Sequence, residues 1–231
     1  MRGGDCMFNW HEEAKKKWDE GVTFWNQKSE NMWTEGSRKD IVPLIQEHIK
    51  EGSQLLDIGC GDGYGSSLLH RAGYKVTGVD LSSEMVQKAR ELGESEEFSF
   101  YEADIMALPF KDESQDAVMA INVLEWTSSP LHALTEIKRV LKAEGKACIG
   151  ILGPTAQPRS NSYARLYGKD VICNTMMPWE FEQLANENGL HTIGGYGVYK
   201  RGVTNEMKKS LSRELQQALT FLWVFMLEKQ A

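Results

Sequence analysis

The sequence predicts an α/β fold in which a mostly parallel sheet is covered by helices on both faces. Two observations support this prediction. Strand-like apolar runs alternate with helical patterns from residue 54 to residue 152, and a glycine-rich loop directly follows the first of these runs. Alternation of this kind is typical of βαβ units, whose crossovers are right-handed and whose strands lie parallel.

Each element is predicted from hydrophobic spacing and end signals. Strands are expected at 54–58, 75–79, 98–101, 117–121, 146–152, 191–200 and 220–227. Helices are expected at 8–33, 37–50, 64–72, 83–92, 130–141, 179–188 and 205–218. Ser37 is the expected N-cap of the second helix. The run 220–227 is apolar enough to be buried on both faces of the sheet.

The composition describes an ordinary globular chain. With 231 residues, 41% hydrophobic and 26% charged, it is long enough for one domain with a full core. The formal charge of -7 and the scattered lysines and arginines disfavour a nucleic-acid partner. No apolar run approaches the ~18 residues that cross a bilayer, and the N-terminal segment with Asp5 lacks the apolar part of a signal peptide. A cytoplasmic protein without membrane contact is expected.

Metal binding is not expected. The cysteines are widely separated and form no C-x-x-C pair, and the five histidines show no ligand spacing. The cysteines are Cys6, Cys60, Cys148 and Cys173.

The glycine-rich loop is the strongest functional signal. The stretch 55–65 reads LLDIGCGDGYG, with a strand before it and a helix after it. Its glycines follow G-x-G-x-G, and Tyr64 stands where the dinucleotide fingerprint has its third glycine. A strand that ends in such a loop brings free N–H groups and a helix N-terminus to one place, which suits a nucleotide-like ligand.

This loop resembles motif I of the class I methyltransferases that depend on S-adenosylmethionine (SAM). The resemblance runs strongly from about residue 55 to residue 152. It implies a Rossmann-like sheet of seven strands with the last strand antiparallel, and an N-terminal helical lid. It implies SAM as the cofactor and S-adenosylhomocysteine as the product. One domain is expected, made of a cap (1–50), a SAM-binding core (51–152), a substrate-lid insertion (153–178) and a C-terminal part (179–231).

Several residues are predicted to hold the cofactor. Asp80 ends the second strand about twenty residues beyond the glycine loop, a place from which an acid accepts hydrogen bonds from both ribose hydroxyls. Leu81 follows it and offers an apolar face to the adenine. The resemblance implies that Asp104 accepts from the adenine amine and that the N–H of Ile105 meets a ring nitrogen.

The methionine part of SAM is expected on the glycine loop. Asp57 is expected to hold its amino group, directly or through water, and the loop N–H groups are expected to approach the rest. The complete set of predicted cofactor residues is Asp57, Gly59, Cys60, Gly61, Gly63, Asp80, Leu81, Asp104, Ile105 and Asn122. Arg38 is either a partner of the methionine carboxylate or a surface arginine.

Glu125 is the candidate catalytic residue. It lies just after the fourth strand, where many relatives of this fold have a histidine. A carboxylate serves as a general base near neutral pH only with a raised pKa or with an acidic substrate. Glu125 is therefore a base, a partner of the methionine ammonium or a cap of the following loop.

Substrate residues are expected in the insertion and around the lid. The insertion gathers aromatic, methionine and hydrogen-bonding side chains, which suit a small, partly apolar ligand. Four of the seven tryptophans lie between residues 8 and 33, where they pack the segment onto the domain, cover the cavity, or do both. The candidates are Trp25, Trp126, Tyr163, Arg165, Tyr167 and Met176.

The predicted function is methyl transfer from SAM to an O, N, S or C nucleophile of a small molecule, by a monomer or a homodimer. Alternatives are methylation of a modified tRNA base or a protein side chain, and a regulator that binds SAM without turnover. A nicotinamide oxidoreductase is opposed by Tyr64 at the third glycine position.

Overall fold

The computed structural model describes residues 8–230 of the chain. Asp5 and Cys6 lie outside the described residues. The other cysteines, Cys60, Cys148 and Cys173, are buried free thiols.

One mixed sheet of seven strands forms the centre of the fold, as predicted. The strands are β1 (Gln54–Ile58), β2 (Lys75–Asp80), β3 (Phe98–Glu102), β4 (Gln115–Ile121), β5 (Leu141–Leu152), β6 (Leu190–Tyr199) and β7 (Thr220–Lys229). Their order is β3-β2-β1-β4-β5-β7-β6. Neighbours from β3 to β5 are parallel, whereas β7 is antiparallel to both β5 and β6. The expectation of a final antiparallel strand inside the sheet is confirmed.

Eight α-helices connect and cover these strands in the described part of the chain. They are α1 (Trp10–Thr34), α2 (Ile41–His48), α3 (Tyr64–Arg71), α4 (Ser83–Arg90), α5 (Pro130–Val140), α6 (Pro178–Glu187), α7 (Asn205–Ser210) and α8 (Arg213–Ala218). Short 3₁₀ helices span Ile105–Ala107, Leu124–Trp126 and Gln157–Tyr167. None of the helices between residues 8 and 230 has the length and apolar character to cross a bilayer.

The core lies on both faces of the sheet because successive strand residues point to opposite sides. In β1, Leu56 belongs to the cluster covered by α5 and α6, and its neighbour Leu55 belongs to the cluster covered by α2, α3 and α4. In β4, Val118 and Met119 divide in the same way. Strands buried on both sides explain the nearly continuous apolar runs that predicted them.

Two local expectations are wrong. Ser37 does not cap the second helix, because α2 begins three residues later than expected, with Asp40 at its N-cap position. The single helix predicted over 205–218 is two short helices, since the backbone is extended at Leu211 and Ser212. A serine favours such a break, because its hydroxyl competes for backbone groups at helix ends.

The sheet presents the carboxyl ends of β1 to β5 at one edge, and α1 crosses over that edge. Its contacts are with α3 and α4, the helices that follow β1 and β2. At the C-terminal end of α1, Trp33 packs against Gly65, where a Cβ atom would lie 2.2 Å from the indole. The open edge of an α/β sheet is where ligands bind in such folds.

Candidate active site

A cavity of about 210 Å³ lies between α1 and the carboxyl ends of the strands. Its walls come from the loops after β1, β2, β3, β4 and β5, from α1, and from the start of β7. Eight of the ten predicted cofactor residues line it. They are Gly59, Cys60, Gly61, Asp80, Leu81, Asp104, Ile105 and Asn122.

The glycine loop adopts backbone angles that favour glycine. Gly59, Gly61 and Gly63 have φ of 68°, 56° and 77°, in the left-handed region that other residues rarely occupy. No atom lies within 4 Å of a Cβ built on Gly61, which lines the cavity, so a ligand can approach this backbone closely. Gly63 does not line the cavity; it precedes α3, and a Cβ there would collide with Ala89 and Phe100.

Asp80, at the end of β2, contacts the glycine loop. Its carboxylate accepts hydrogen bonds of 2.9 Å from the backbone N–H groups of Gly61 and Ser82. Burial raises the pKa of Asp80, and these two N–H groups oppose the rise by stabilising the ionised form. Each oxygen keeps a further lone pair that can face the cavity.

Asp104 follows β3 and is held from two sides. Its Oδ1 accepts from the N–H of Met106 at 2.9 Å, and its Oδ2 lies 2.9 Å from Nδ1 of His11 on α1. Ile105 is buried next to it and begins a short 3₁₀ helix. An adenine amine that reached Asp104 would share this carboxylate with His11.

Asp57 lies in β1, beneath the cavity rather than in its wall. It is 3% exposed and accepts a hydrogen bond of 2.5 Å from the Ser66 hydroxyl. Burial raises the pKa of Asp57 to about 7, although Ser66 and the Arg38 guanidinium favour the ionised form. Arg38 lines the cavity and lies over the ring of Trp33, so it is more than a surface arginine. Burial lowers the pKa of Arg38, against the attraction of Asp57 and Asp62.

Asp62 fastens α1 to the glycine loop. Its carboxylate accepts from the Ser29 hydroxyl at 2.8 Å and from the Asn26 amide at 3.1 Å. Asp62 is buried and lines the cavity, and sequence reasoning did not assign it a role. Its position two residues before α3 was the available signal, because an acid there can accept from lid and loop donors alike.

Asn122 lies at the end of β4 with φ of 60°, unusual for a residue other than glycine. It lines the cavity, and its side-chain Nδ2 is buried without a hydrogen-bond partner, although the side chain lies close enough to Glu125 to lower the pKa of that carboxyl. A buried unpaired amide donor is destabilising, so this one is suited to a ligand acceptor.

Glu125 lies behind the cavity wall. It is fully buried, and its Oε1 accepts a 2.5 Å hydrogen bond from the N–H of Leu152 at the end of β5. Burial raises the pKa of Glu125, while the Leu152 N–H and the nearby Arg159 guanidinium lower it. Arg159 is also buried and donates to the carbonyl oxygens of Leu152, Gly153 and Met176. These two charges tie the insertion to the ends of β4 and β5.

The insertion contributes little to the cavity. Tyr163 and Tyr167 are 58% and 72% exposed and contact each other, and Arg165 is exposed and donates to Ser162. Met176 is buried in the apolar core. Pro158 is the residue of 153–178 that lines the cavity, so the substrate candidates of the insertion lie elsewhere.

Three tryptophans of α1 form part of the cavity wall. Trp25 and Trp126 line the cavity as expected, and Trp10 and Trp18, which were not among the substrate candidates, join them. Trp10, Trp18 and Trp25 are eight and seven residues apart, the spacing that places side chains on one helix face. That spacing was the signal that could have identified all three.

Comparison with known proteins relates the central part of the chain to one family. Residues 56–149 match the methyltransferase domain family Methyltransf_11. The segment from β1 into β5 is therefore similar to methyltransferase domains.

Curated methyltransferases are similar to the central part of this chain. It is 36% identical over 155 residues to the malonyl-[acyl-carrier protein] O-methyltransferase of Erwinia pyrifoliae, covering 66% of this chain and 58% of that protein. It is 29% identical over 139 residues to the demethylmenaquinone methyltransferase of Clavibacter sepedonicus, covering 60% and 54%. The chain thus spans little more than half the length of these curated relatives.

A solved structure shares nearly the whole fold. It is a chain of the complex between the Trm112 methyltransferase activator of Haloferax volcanii and a methyltransferase. The TM-score is 0.73 at 20% identity, over 94% of this chain and 98% of that chain. At this identity the likeness concerns the fold alone.

The cavity fits SAM on its own chemistry. The open face of Gly61 admits close approach of a ligand to the backbone. Asp80 and Asp104 offer acceptors for hydroxyl and amine donors, and the unpaired Asn122 amide offers a donor. Arg38 supplies a cation for a carboxylate.

Proposed function

We propose that this methyltransferase transfers the methyl group of SAM to a nucleophile of a small molecule. The observation that carries the proposal is the convergence of Gly61, Asp80, Asp104 and Asn122 on one cavity at the carboxyl ends of the parallel strands. The relatives named above support a small acceptor, since their names specify an acyl-carrier-bound malonyl group and a quinone precursor. SAM, when bound, supplies a sulfonium-activated methyl group that is open to in-line displacement.

The roles of the cofactor residues follow from their positions. Asp80 accepts from the ribose hydroxyls and Leu81 packs on the adenine, while Asp104 and Ile105 bind the adenine edge. The N–H groups of the loop from Gly59 to Gly63 approach the methionine part. Gly63 acts by allowing the tight turn into α3.

Two charged residues complete the methionine end. Arg38 pairs with the carboxylate of the methionine part, and Asp57 with its ammonium group through Ser66 or water. Both lie close enough to influence each other's pKa, so binding of a zwitterionic end satisfies both charges at once.

Glu125 is proposed as a positioning residue rather than a base. Its carboxylate faces the N–H of Leu152 and the Arg159 guanidinium, and it does not line the cavity. It holds Trp126, its neighbour in the chain, against the cavity. The three free thiols of the described residues suit a reducing compartment, so we propose a cytoplasmic location.

Isothermal titration with SAM and S-adenosylhomocysteine tests the cofactor, with NADH as the control. Binding of both sulfur compounds is expected, and binding of NADH alone would overturn the proposal. Transfer of radiolabelled methyl from SAM to small acceptors, tRNA and protein then tests the activity. Tight SAM binding without transfer to any acceptor would indicate a SAM-binding regulator instead.

A further inference from the structure

The wall of the cavity divides into two parts of different chemistry. Its charged side chains lie on the first turns of α1, near α2, and in the loops after β1, β2 and β3; they are His11, Arg38, Asp62, Asp80 and Asp104. The other part, here named the acceptor chamber, consists of Trp18, Trp25, Trp126, Leu152, Pro158 and Phe221.

The acceptor chamber is an apolar cluster distinct from the two cores that cover the sheet. Trp126 and Leu152 are its buried members, and Trp18 and Phe221 pack against them. Trp18 meets Trp126 edge to face, with ring centroids 5.4 Å apart. Trp25 follows at 6.3 Å from Trp18. Rigid aromatic walls of this kind favour flat apolar ligands.

The charged residues of the cavity wall lie outside the chamber, and Lys200, whose Nζ is 5.8 Å from the centroid of the Phe221 ring, does not line the cavity. The hydroxyl of Thr127, next to Trp126 in the chain, donates to the carbonyl oxygen of Leu124 at 2.9 Å. The buried Glu125 carboxylate accepts from the N–H of Leu152, Arg159 donates to the carbonyl oxygen of Leu152, and neither residue lines the cavity. An anionic acceptor would therefore lose its hydration without gaining a partner from the protein, which is costly.

The sulfonium of the cofactor disfavours a cationic acceptor as well. Methyl transfer brings the acceptor atom within a few ångströms of that positive charge, where like charges repel strongly in a poorly hydrated cavity. The aromatic faces can stabilise the sulfonium itself. The sulfonium thus excludes a cationic acceptor, and the apolar wall of the chamber disfavours an anionic one.

We infer that the acceptor chamber takes an uncharged, flat aromatic acceptor. This rests on the proposed methyltransferase function and names its substrate class. As the bond between the methyl carbon and the acceptor atom forms, the carbon–sulfur bond breaks and its electron pair leaves the sulfonium a neutral thioether. The proton of the acceptor passes to water at the exposed Ser128 mouth of the cavity.

Three naphthalene probes that differ in charge test this inference. They are 1-naphthol, which is neutral, 1-hydroxy-2-naphthoate, which is anionic, and 1-naphthylmethylamine, which is cationic. The neutral and anionic probes are titrated into the protein saturated with S-adenosylhomocysteine. The neutral and cationic probes are titrated into the protein saturated with sinefungin, a SAM analogue with an ammonium group where SAM has its methyl sulfonium. Binding is followed by calorimetry and by quenching of tryptophan fluorescence. The neutral probe is expected to bind about tenfold or more tightly than either charged probe, from the penalty for burying an unpaired charge.

Charge placed in the chamber gives a second test. Trp18→Arg is expected to weaken the binding of 1-naphthol and to strengthen the binding of 1-hydroxy-2-naphthoate, so that the order of their affinities is reversed. Gln27→Arg is the matched control, because it adds the same charge on the same helix at an exposed position outside the cavity wall; it is expected to change neither.

The outcomes separate the two proposals. If S-adenosylhomocysteine does not bind, the proposed function fails and this inference fails with it. If it binds and a charged probe binds as tightly as 1-naphthol, the inference alone is overturned. Unchanged preference in the Trp18→Arg variant would also overturn it.

Discussion

The indole Nε1 of Trp10 donates a hydrogen bond of 2.7 Å to the backbone carbonyl oxygen of Trp126. It joins the first turn of α1 to the loop that follows β4. Near the other end of α1, Ser29 donates to Asp62 on the glycine loop. The helix is therefore held across the cavity at both ends, and loosening of either contact is expected to ease the passage of a ligand.

Removal of the Trp10 donor is expected to speed cofactor release. Trp10→Phe keeps an aromatic ring and loses the N–H, and a hydrogen bond worth about 1 kcal/mol corresponds to roughly a fivefold faster dissociation. Stopped-flow fluorescence measures the rate of SAM release. Gln27→Ala on the exposed face of α1 is expected to leave this rate unchanged, and an unchanged rate in Trp10→Phe would contradict the lid role.

Asp80→Ala is expected to abolish most SAM affinity. The change removes the acceptor for both ribose hydroxyls, and hydrogen bonds to a charged group contribute about 1.5–3 kcal/mol each, so a loss of about 100-fold or more follows. Calorimetry measures the affinity, and thermal unfolding checks that the fold survives the loss of the contacts to Gly61 and Ser82. Asp80→Asn keeps one acceptor oxygen, so its SAM affinity should lie between those of the native protein and the alanine variant. Undiminished binding by the alanine variant would refute the assignment.

SAM affinity is expected to depend on pH through Asp57. Its pKa of about 7 in the free protein means that half of the molecules carry a proton there at neutral pH. If the ionised carboxylate pairs with the methionine ammonium, SAM affinity falls roughly eightfold from pH 7.5 to pH 6. The reason is that the ionised fraction of a carboxyl with a pKa of about 7 falls by this factor over that range. Asp57→Asn should remove this difference, since any titration of SAM itself is common to both proteins. Equal pH dependence in both would argue against the pairing.

The same pKa predicts the pH dependence of folding in the free protein. The folded pKa is raised above the ordinary value of 3.8, so between about pH 4 and pH 7 the folded state holds a proton that the unfolded state has lost. The contribution of Asp57 to stability therefore declines as pH rises through this window. Asp57→Asn should gain stability over the native protein between pH 5 and pH 8 in urea unfolding; a constant difference would contradict the raised pKa.

Glu125→Gln and Glu125→Ala are expected to differ sharply. Glutamine keeps an acceptor for the Leu152 N–H, so the fold and the pH profile of kcat should persist with a modest loss of rate. Alanine leaves the buried N–H of Leu152 without its acceptor and removes the negative charge near Arg159, which costs about 1–3 kcal/mol of unfolding free energy. Glu206→Ala, an exposed change on α7, is the control. Loss of the acidic limb of the pH profile, in which activity falls as a base is protonated, in Glu125→Gln would instead identify a general base.

Local sequence signals predicted the strands, the glycine turn and Asp80, because each depends on a few neighbouring residues. An apolar run indicates a single strand and a positive-φ glycine a single turn, and the sequence distance from Gly59 to Asp80 is set by one βαβ unit. Which residues of a loop face the cavity could not be predicted in this way. Tyr163 and Tyr167 face outward because Arg159 occupies the inward side of the same 3₁₀ helix, held by backbone carbonyl groups from two other segments.

The position of β7 between β5 and β6 has a consequence for synthesis. β6 has no partner in the sheet until β7 has left the ribosome, and Phe221, at the start of β7, completes the cavity wall. The earlier strands can pair as they emerge, but pairing of β7 with β5 spans about seventy residues of chain, and such distant contacts form slowly. The nascent chain therefore exposes the apolar edge of β5 during translation, and neither β6 nor the acceptor chamber reaches its final state until this one strand inserts.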